Sequence, residues 1–258
     1  LHRQCRKRKN GKPSVIVFVF ELNRAKLIVW LCKSVGEMEY IPRPSICFII
    51  TYPRIREVMA DDYTGRIVQR FFAREVGWFL EQYHYDEDCY ACRVGKGALR
   101  AVQKYQDIVY ELSNGYTEDV WVGKLDIENC FMSVDTQRAV DLLTAFIKEH
   151  MKESPYYWLL LYLTRILYQS LPQEHCYYKS PAYMWLGLPK EKSMRGKRGT
   201  ALPIGNESSQ MMITFKMTIL IGYMKSLGLH VVNYCDDFQF ATCDKEKLLK
   251  DDVWRIEK

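Results

Sequence analysis

The chain has 258 residues, 48% hydrophobic and 14% aromatic, which is enough apolar material for one large domain or two small ones and excludes a disordered chain. Lys and Arg number 37 against 31 Asp and Glu, a net charge of +6 that favours a polyanionic partner without requiring one. Nine cysteines scattered from Cys5 to Cys243 read as reduced thiols of a cytoplasmic protein, and no apolar run approaches the roughly 18 residues that span a bilayer, so no membrane is expected as a partner.

Residues 3–12 (RQCRKRKNGK) form a basic run that suits phosphate backbone or a solvated terminus equally. The apolar stretch 15–20 that follows is too short for a span and lacks the small-residue cleavage site of a signal peptide. The chain starts at Leu1 and not at Met, which suggests a piece of a longer protein. After the turn signal Pro42-Arg43-Pro44, residues 45–52 (SICFIITY) read as a strand, and Arg54 and Arg56 stand on alternate positions of an extended piece, hence on one face. Ile67, Val68, Phe71, Phe72, Val76, Phe79, Leu80 and Tyr83 predict an amphipathic helix over 66–83. A second helix is predicted over 96–112, stopped by Asn114-Gly115. Between the two, Cys89-Tyr-Ala-Cys92 lacks the second pair of ligands that a zinc site needs. The Arg93-Val-Gly-Lys-Gly97 turn is either a linker or a place where backbone amides approach a phosphate.

Residues 120–127 (VWVGKLDI) read as a buried strand that ends in the carboxylate of Asp126, and Asp135 as the cap of the helix behind it. A core helix is predicted over 156–168, then a basic irregular stretch over 173–200, then a helix opening at Asn206 and stopped by Gly228. Two short strands, 229–234 and 238–242, flank Cys235-Asp236-Asp237 as a hairpin with two acids at its tip. Apolar neighbours on both sides imply a mostly buried hairpin whose acids need a counter-charge. The order strand, helix, helix, hairpin packs Asp126, Asp236 and Asp237 side by side on one sheet. Three carboxylates so held suit two divalent ions about 3.5–4 Å apart, the arrangement that nucleotidyl transfer uses.

Tyr234-Cys-Asp-Asp237 after a helix, together with Lys124-Leu-Asp-Ile-Glu-Asn-Cys-Phe-Met-Ser-Val134 at the earlier strand, resembles the reverse-transcriptase signatures. Leu202-Pro-Ile-Gly-Asn-Glu-Ser-Ser-Gln210 resembles that family's turn before the long palm helix, and the likeness runs from about Pro53 to Phe240. The resemblance implies an α+β fold: the fingers and palm of a right-hand polymerase, a ferredoxin-like palm sheet with helices on one face, fingers over 1–115, and a palm over 116–258 with an insertion near 173–200. Family members continue past the hairpin into a helical thumb, which is missing from a chain ending at Lys258, so a weak grip on primer and template is expected.

By the same resemblance Asp126, Asp236, Asp237 and the backbone of Ile127 would hold two Mg2+ ions, or Mn2+ in their place. Arg54 and Arg56 would grip the incoming triphosphate, whose oxygens suit the planar guanidinium fork. Phe131 would pack under the sugar and reject a ribose 2′-hydroxyl, or else be ordinary core. Ile204, Gly205 and Gln210 would lie by the nucleotide, and Arg93 and Lys96 by the template. The implied activity is RNA-directed DNA polymerisation, with an RNA template, a DNA or RNA primer and dNTPs as partners.

Cys89 to Gly97, residues 188–193 (LPKEKS) and the Pro-Ile-Gly-Asn turn look like the diversity-generating retroelement type, whose enzymes copy with errors and work with a small basic accessory protein. Ile204 stands where many relatives have Gln. Losing that polar contact narrows the gap between right and wrong nucleotides, so error-prone copying is expected. Glu207-Ser208 and Cys235 depart from that group's usual residues. The alternatives are a group II intron, retron or phage-defence reverse transcriptase, a palm-fold nucleotide cyclase lacking its usual turn, and a non-catalytic nucleic-acid-binding fragment.

Overall fold

The computed structural model describes Cys5 and residues 24–249; apart from Cys5, the basic run 3–12 and the stretch 15–20 lie outside the described residues. The elements in chain order are α1 (Arg24–Gly36), β1 (Ser45–Ile50), β2 (Arg56–Ala60), α2 (Tyr63–Tyr83), α3 (Ala98–Leu112), β3 (Trp121–Asp126), α4 (Thr136–His150), α5 (Tyr157–Gln169), β4 (Cys176–Tyr178), α6 (Glu207–Ser226), β5 (His230–Tyr234), β6 (Asp237–Thr242) and α7 (Lys245–Leu249). No described helix is long and apolar enough to cross a membrane, and no disulfide joins the described cysteines.

The chain divides into two compact units, each built from two stretches of sequence: unit 1 from Leu1–Phe79 and Phe131–Ser209, unit 2 from Leu80–Cys130 and Gln210–Lys258. The division is interleaved: two of its boundaries fall inside α2 and α6, and the third in the 3-10 turn Cys130–Met132. The contiguous fingers and palm on either side of residue 115 are what the resemblance implies, whereas these compact units are set by pairings distant in sequence.

Unit 1 is organised on a sheet of order β2-β1-β4. β1 pairs antiparallel with β2, from Ile46 opposite Ala60 to Ile50 opposite Arg56, and parallel with β4, where Cys47 faces Tyr178. Ser45, Cys47 and Ile49 are buried while their alternates are not, the period-2 signature of a half-covered strand. The buried face meets Met59, Met132, Met194 and Ala201. Glu57, on that face of β2 and 1% exposed, accepts from the indole Nε1–H of Trp185 (2.9 Å), the Ser193 hydroxyl (2.8 Å) and the Met194 amide (2.9 Å). The Asp135 side chain caps α4 by accepting from the Arg138 amide at 2.9 Å, as the sequence predicts.

Unit 2 holds an antiparallel sheet of order β3-β6-β5, three strands among the described residues, with α3 packed on it through Ala101 and Ile108 against Val232 and Ala241. Gly123 lets the Phe240 ring lie on β3, since a Cβ there would come within 2.2 Å of the ring. β3 is not the buried strand that its apolar run suggests: Trp121, Val122, Lys124 and Asp126 are exposed. It is an edge, bonded among the described residues only to β6, so its apolar letters face solvent on one side.

Helices were legible to within a few residues, except that α2 begins at Tyr63, where the Asp62 carboxylate accepts from the Gly65 amide at 2.7 Å. α1 and α7 were not expected, β2 was expected only as an extended piece over 53–57, and the irregular stretch 173–200 contains β4 and two short 3-10 turns, Ala182–Trp185 and Lys190–Lys192.

Candidate active site

The hairpin of unit 2 closes with Tyr234 opposite Asp237 and only Cys235 and Asp236 between them. Cys235 has φ +60°, the sign that the first central residue of a II′ turn requires. What holds a cysteine in that conformation is Asn233, fully buried on β5. Its Nδ2 donates to the carbonyls of Cys235 (2.9 Å) and Asp237 (3.0 Å), its Oδ1 accepts from the Cys89 thiol (3.3 Å), and its backbone exchanges bonds with Asp88 and Tyr90 (both 2.9 Å).

β3 sets Asp126 directly opposite Asp237. The register continues in the bond from the Ile127 amide to the Asp236 carbonyl, 3.1 Å. Asp126 and Asp237 therefore form a non-hydrogen-bonded pair, the kind whose Cα atoms approach to about 4.5 Å and whose side chains lie closest. Two carboxylates so opposed repel. Lys124, two residues before Asp126 and hence on its face, answers that charge with Nζ 2.8 Å from Asp237 Oδ1. Lys124, Tyr234 and Asp237 line a cleft of about 160 Å3 floored by Ala98 and Ala101 of α3. The hairpin strands are mostly buried, as expected, while the acids stand at the open end of the sheet: Asp126 is exposed, and Asp236 and Asp237 are half-buried. Nearby, burial pushes the Cys130 thiol up to about 12, with the charges of Asp236 and Asp126 adding to it and Lys216 opposing. The Cys235 thiol is also raised, first by its hydrogen bond with Cys92, then by burial and the charge of Asp236.

Among the described residues, no group of three or more His, Cys, Asp or Glu is gathered closely enough to hold a metal ion. The donor set fits one in kind: hard carboxylate oxygens from Asp126, Asp236 and Asp237, with the Ile127 backbone beside them, are what Mg2+ and Mn2+ take.

The other predicted residues divide between the units. In unit 1, Arg54 lies exposed in the bend before β2 and Arg56 exposed at its first position, so the extended piece expected to align them begins only at Arg56. Phe131 and Ile204 pack against the same cluster of Cys47, Met59 and Met132. The Leu202 amide donates to the Phe131 carbonyl (2.7 Å) and the Met59 amide to the Ile204 carbonyl (3.0 Å). Gly205 has φ +125°, and a Cβ on it would meet Val58 at 3.0 Å, so the turn needs glycine on both counts.

In unit 2, Gln210 is exposed and accepts from the Cys92 thiol at 3.6 Å. Arg93 is not an open basic residue: its side chain is 7% exposed, paired with Glu81 at 2.7 Å and bonded to the carbonyls of Asp86 and Cys89. The resemblance implies a place at the template for it; in this structure its charge is met by Glu81 on the preceding helix. Lys96 stands over the Tyr90 ring at 4.4 Å and, with Arg100, Gln103 and Lys104, lines an open cleft of about 330 Å3. Arg100 and Lys104 escaped the sequence reading, although their i, i+4 spacing on α3 was a signal for a shared face. Asn233 and Lys124 were missed as well, and only the pairing of β3, β5 and β6 reveals them.

No family model matches the sequence, and no curated protein matches it. Solved structures do. Telomerase from Candida tropicalis, in complex with a TWJ fragment of telomeric RNA, matches with TM-score 0.53 and 8% identity, over 91% of this chain and 41% of that one. Telomerase from Candida albicans, with the same kind of RNA fragment, matches with TM-score 0.50 and 11% identity, over 90% of this chain and 44% of that one. A partial Cas6-RT-Cas1–Cas2 complex has 16% identity and TM-score 0.44, over 95% of this chain and 37% of that one. The chain spans less than half the length of each of these. At such identities the telomerase likeness shows the fold alone: a mixed α/β chain with two small sheets, folded like part of those telomerase chains.

Proposed function

We propose that this chain is an RNA-directed DNA polymerase that copies an RNA template into complementary DNA, with unit 2 supplying the palm carboxylates and unit 1 carrying finger residues. The observation that carries the proposal is the facing pair Asp126 and Asp237 at the open end of the unit 2 sheet, with Asp236 in the adjoining turn, in a chain of reverse-transcriptase-like fold. Two divalent ions, held by these three aspartates and the Ile127 backbone, would activate the attacking hydroxyl and steady the leaving pyrophosphate. The chain's own residues do the rest. Asn233 fixes the turn that carries Asp236, and Lys124 holds Asp237 to one side of β6 while offsetting the repulsion from Asp126. Exposed Arg54 and Arg56 offer forks for triphosphate oxygens, and Lys96 with Arg100 and Lys104 offers a basic face for template or primer phosphates.

Ile204 supports error-prone copying of the diversity-generating kind, with a small basic accessory protein as partner. Its side chain is committed to apolar packing and its carbonyl to Met59, so it brings no polar group to a nascent base pair.

The test is extension of a DNA primer on homopolymer RNA with dNTPs and Mg2+ or Mn2+. Asp236→Asn and Asp126→Asn should each lower the rate on the order of a thousandfold, the several kcal/mol that ion-held charge stabilisation supplies. Undiminished extension in Asp236→Asn sinks the proposal. If Ile204→Gln makes errors as often as the parent chain, the account of Ile204 is wrong while the polymerase stands.

A further inference from the structure

The stretch 173–200 has no part in the proposed chemistry, yet it holds six basic residues against two acidic ones, a net +4 out of the +6 of the whole chain. It is also rich in aromatic rings at the surface of unit 1. Tyr178 ends the edge strand β4 and is 47% exposed, and its ring meets that of Trp185 edge to face, centroids 5.5 Å apart. The Arg195 guanidinium lies 4.5 Å from the centroids of both. Tyr183 and Leu186, in the same short turn as Trp185, are 69% and 87% exposed.

This group is built and not draped. The Ser45 amide donates to His175 O (3.1 Å), the Lys179 amide to Cys47 O (2.8 Å) and the Ile49 amide to the Ser180 hydroxyl (3.0 Å), so β4 is sewn to β1 at both ends. Buried Glu57 takes the indole N–H of Trp185, which fixes a half-buried ring that packs on the Cys47 cluster and carries the exposed Arg195 guanidinium over it, a planar cation held ready for stacking. Rings fixed before binding lose little freedom on binding.

We propose that Tyr178, Trp185 and Arg195, flanked by Tyr183, form a docking surface for an unpaired nucleic-acid strand. Flat aromatic faces and a planar cation, on a positively charged segment, are what unstacked bases and their phosphates use; bases of a duplex are stacked on one another and cannot reach the rings. An acidic polypeptide would satisfy the charge, but its carboxylates gain nothing from the negative faces of the rings. The surface does not depend on the polymerase reading.

Strand alternation supplies an internal control. Tyr177 is exposed on the same strand but faces the opposite side of the sheet from Tyr178, being paired with Ile46 where Tyr178 is paired with Cys47. Anisotropy of a labelled oligouridylate or oligothymidylate, with EDTA present so that no divalent ion takes part, should show about tenfold weaker binding for Tyr178→Ala, Tyr183→Ala and Arg195→Ala, and no change for Tyr177→Ala. A duplex of equal length should bind less tightly than the single strand. If Tyr178→Ala lowers the thermal transition, Tyr183→Ala, whose ring is largely in solvent, decides. The proposal is overturned if Tyr183→Ala and Arg195→Ala bind as the parent does, if Tyr177→Ala weakens binding equally, if duplex binds as tightly, or if polyglutamate competes as well as the oligonucleotide, which would point to an acidic protein. A chain that binds as described but never extends a primer refutes the polymerase reading alone. One that extends primers while all four variants bind alike refutes this surface alone.

Discussion

In each unit a buried polar side chain ties a loop to a strand, Glu57 in one and Asn233 in the other, and these two work with opposite polarity. In unit 1, Glu57 on β2 accepts three donors from the 185–194 segment. In unit 2, Asn233 on β5 donates twice to the Cys235 and Asp237 carbonyls and is neutral. The difference matches what each loop presents. The 185–194 segment turns N–H and O–H groups inward, and only an acceptor can satisfy three of them at once. The hairpin tip turns carbonyls inward, and a carboxylate there would meet lone pair with lone pair. The fully bonded acid, Glu57, is a structural group, whereas the acids that remain exposed or half-exposed, Asp126 and Asp237, have oxygens to spare for chemistry.

The comparison breaks first, and hardest, at Glu57. Glu57→Ala should cost about 4 kcal/mol, because three buried or half-buried donors lose their acceptor together. Hydrogen exchange followed by mass spectrometry should show fast exchange across 185–194. A variant that melts like the parent would mean that water or a neighbouring oxygen replaces the carboxylate. Asn233→Asp comes next, at about 3 kcal/mol, since the two donated bonds are lost and a buried carboxyl oxygen is turned on the two carbonyls. Its exchange should rise at 234–237, and primer extension should fall with it. If Asn233→Asp extends primers as well as the parent, the turn does not need its brace.

Neither tie was visible in the sequence, for a physical reason. Glu57 finds its partners 128, 136 and 137 residues away, and in a five-residue strand a lone Glu reads as the solvent-facing alternate. Asn233 sits between Val232 and Tyr234 and reads the same way. What the sequence does carry is local: the 3.6 period of α2 and α3, the Asp135 cap, and the hairpin with two acids at its tip. The pairing of Asp126 with the hairpin was legible because both lay in motifs. The edge position of β3 was not, since six apolar and charged letters give no count of neighbouring strands. Arg93 shows the same limit from the other side: a basic turn is legible, but its burial against Glu81 depends on how α2 ends.

The smallest effect has the most informative sign. Asp126 faces Asp237 as a non-hydrogen-bonded pair, and Lys124 contacts Asp237. Like charges across strands destabilise, so Asp126→Asn should stabilise unit 2 by about 0.5 kcal/mol at low salt while extension is lost. The gain should fade as salt rises toward 1 M, where the Debye length shrinks to about 3 Å. A small stabilisation with lost activity is the mark of a carboxylate kept for chemistry at some cost to the fold. A loss of stability in Asp126→Asn, measured by thermal or urea unfolding, would instead place Asp126 with Glu57, as an acid held by internal donors, and would remove the ground on which it is counted among the ion-holding residues.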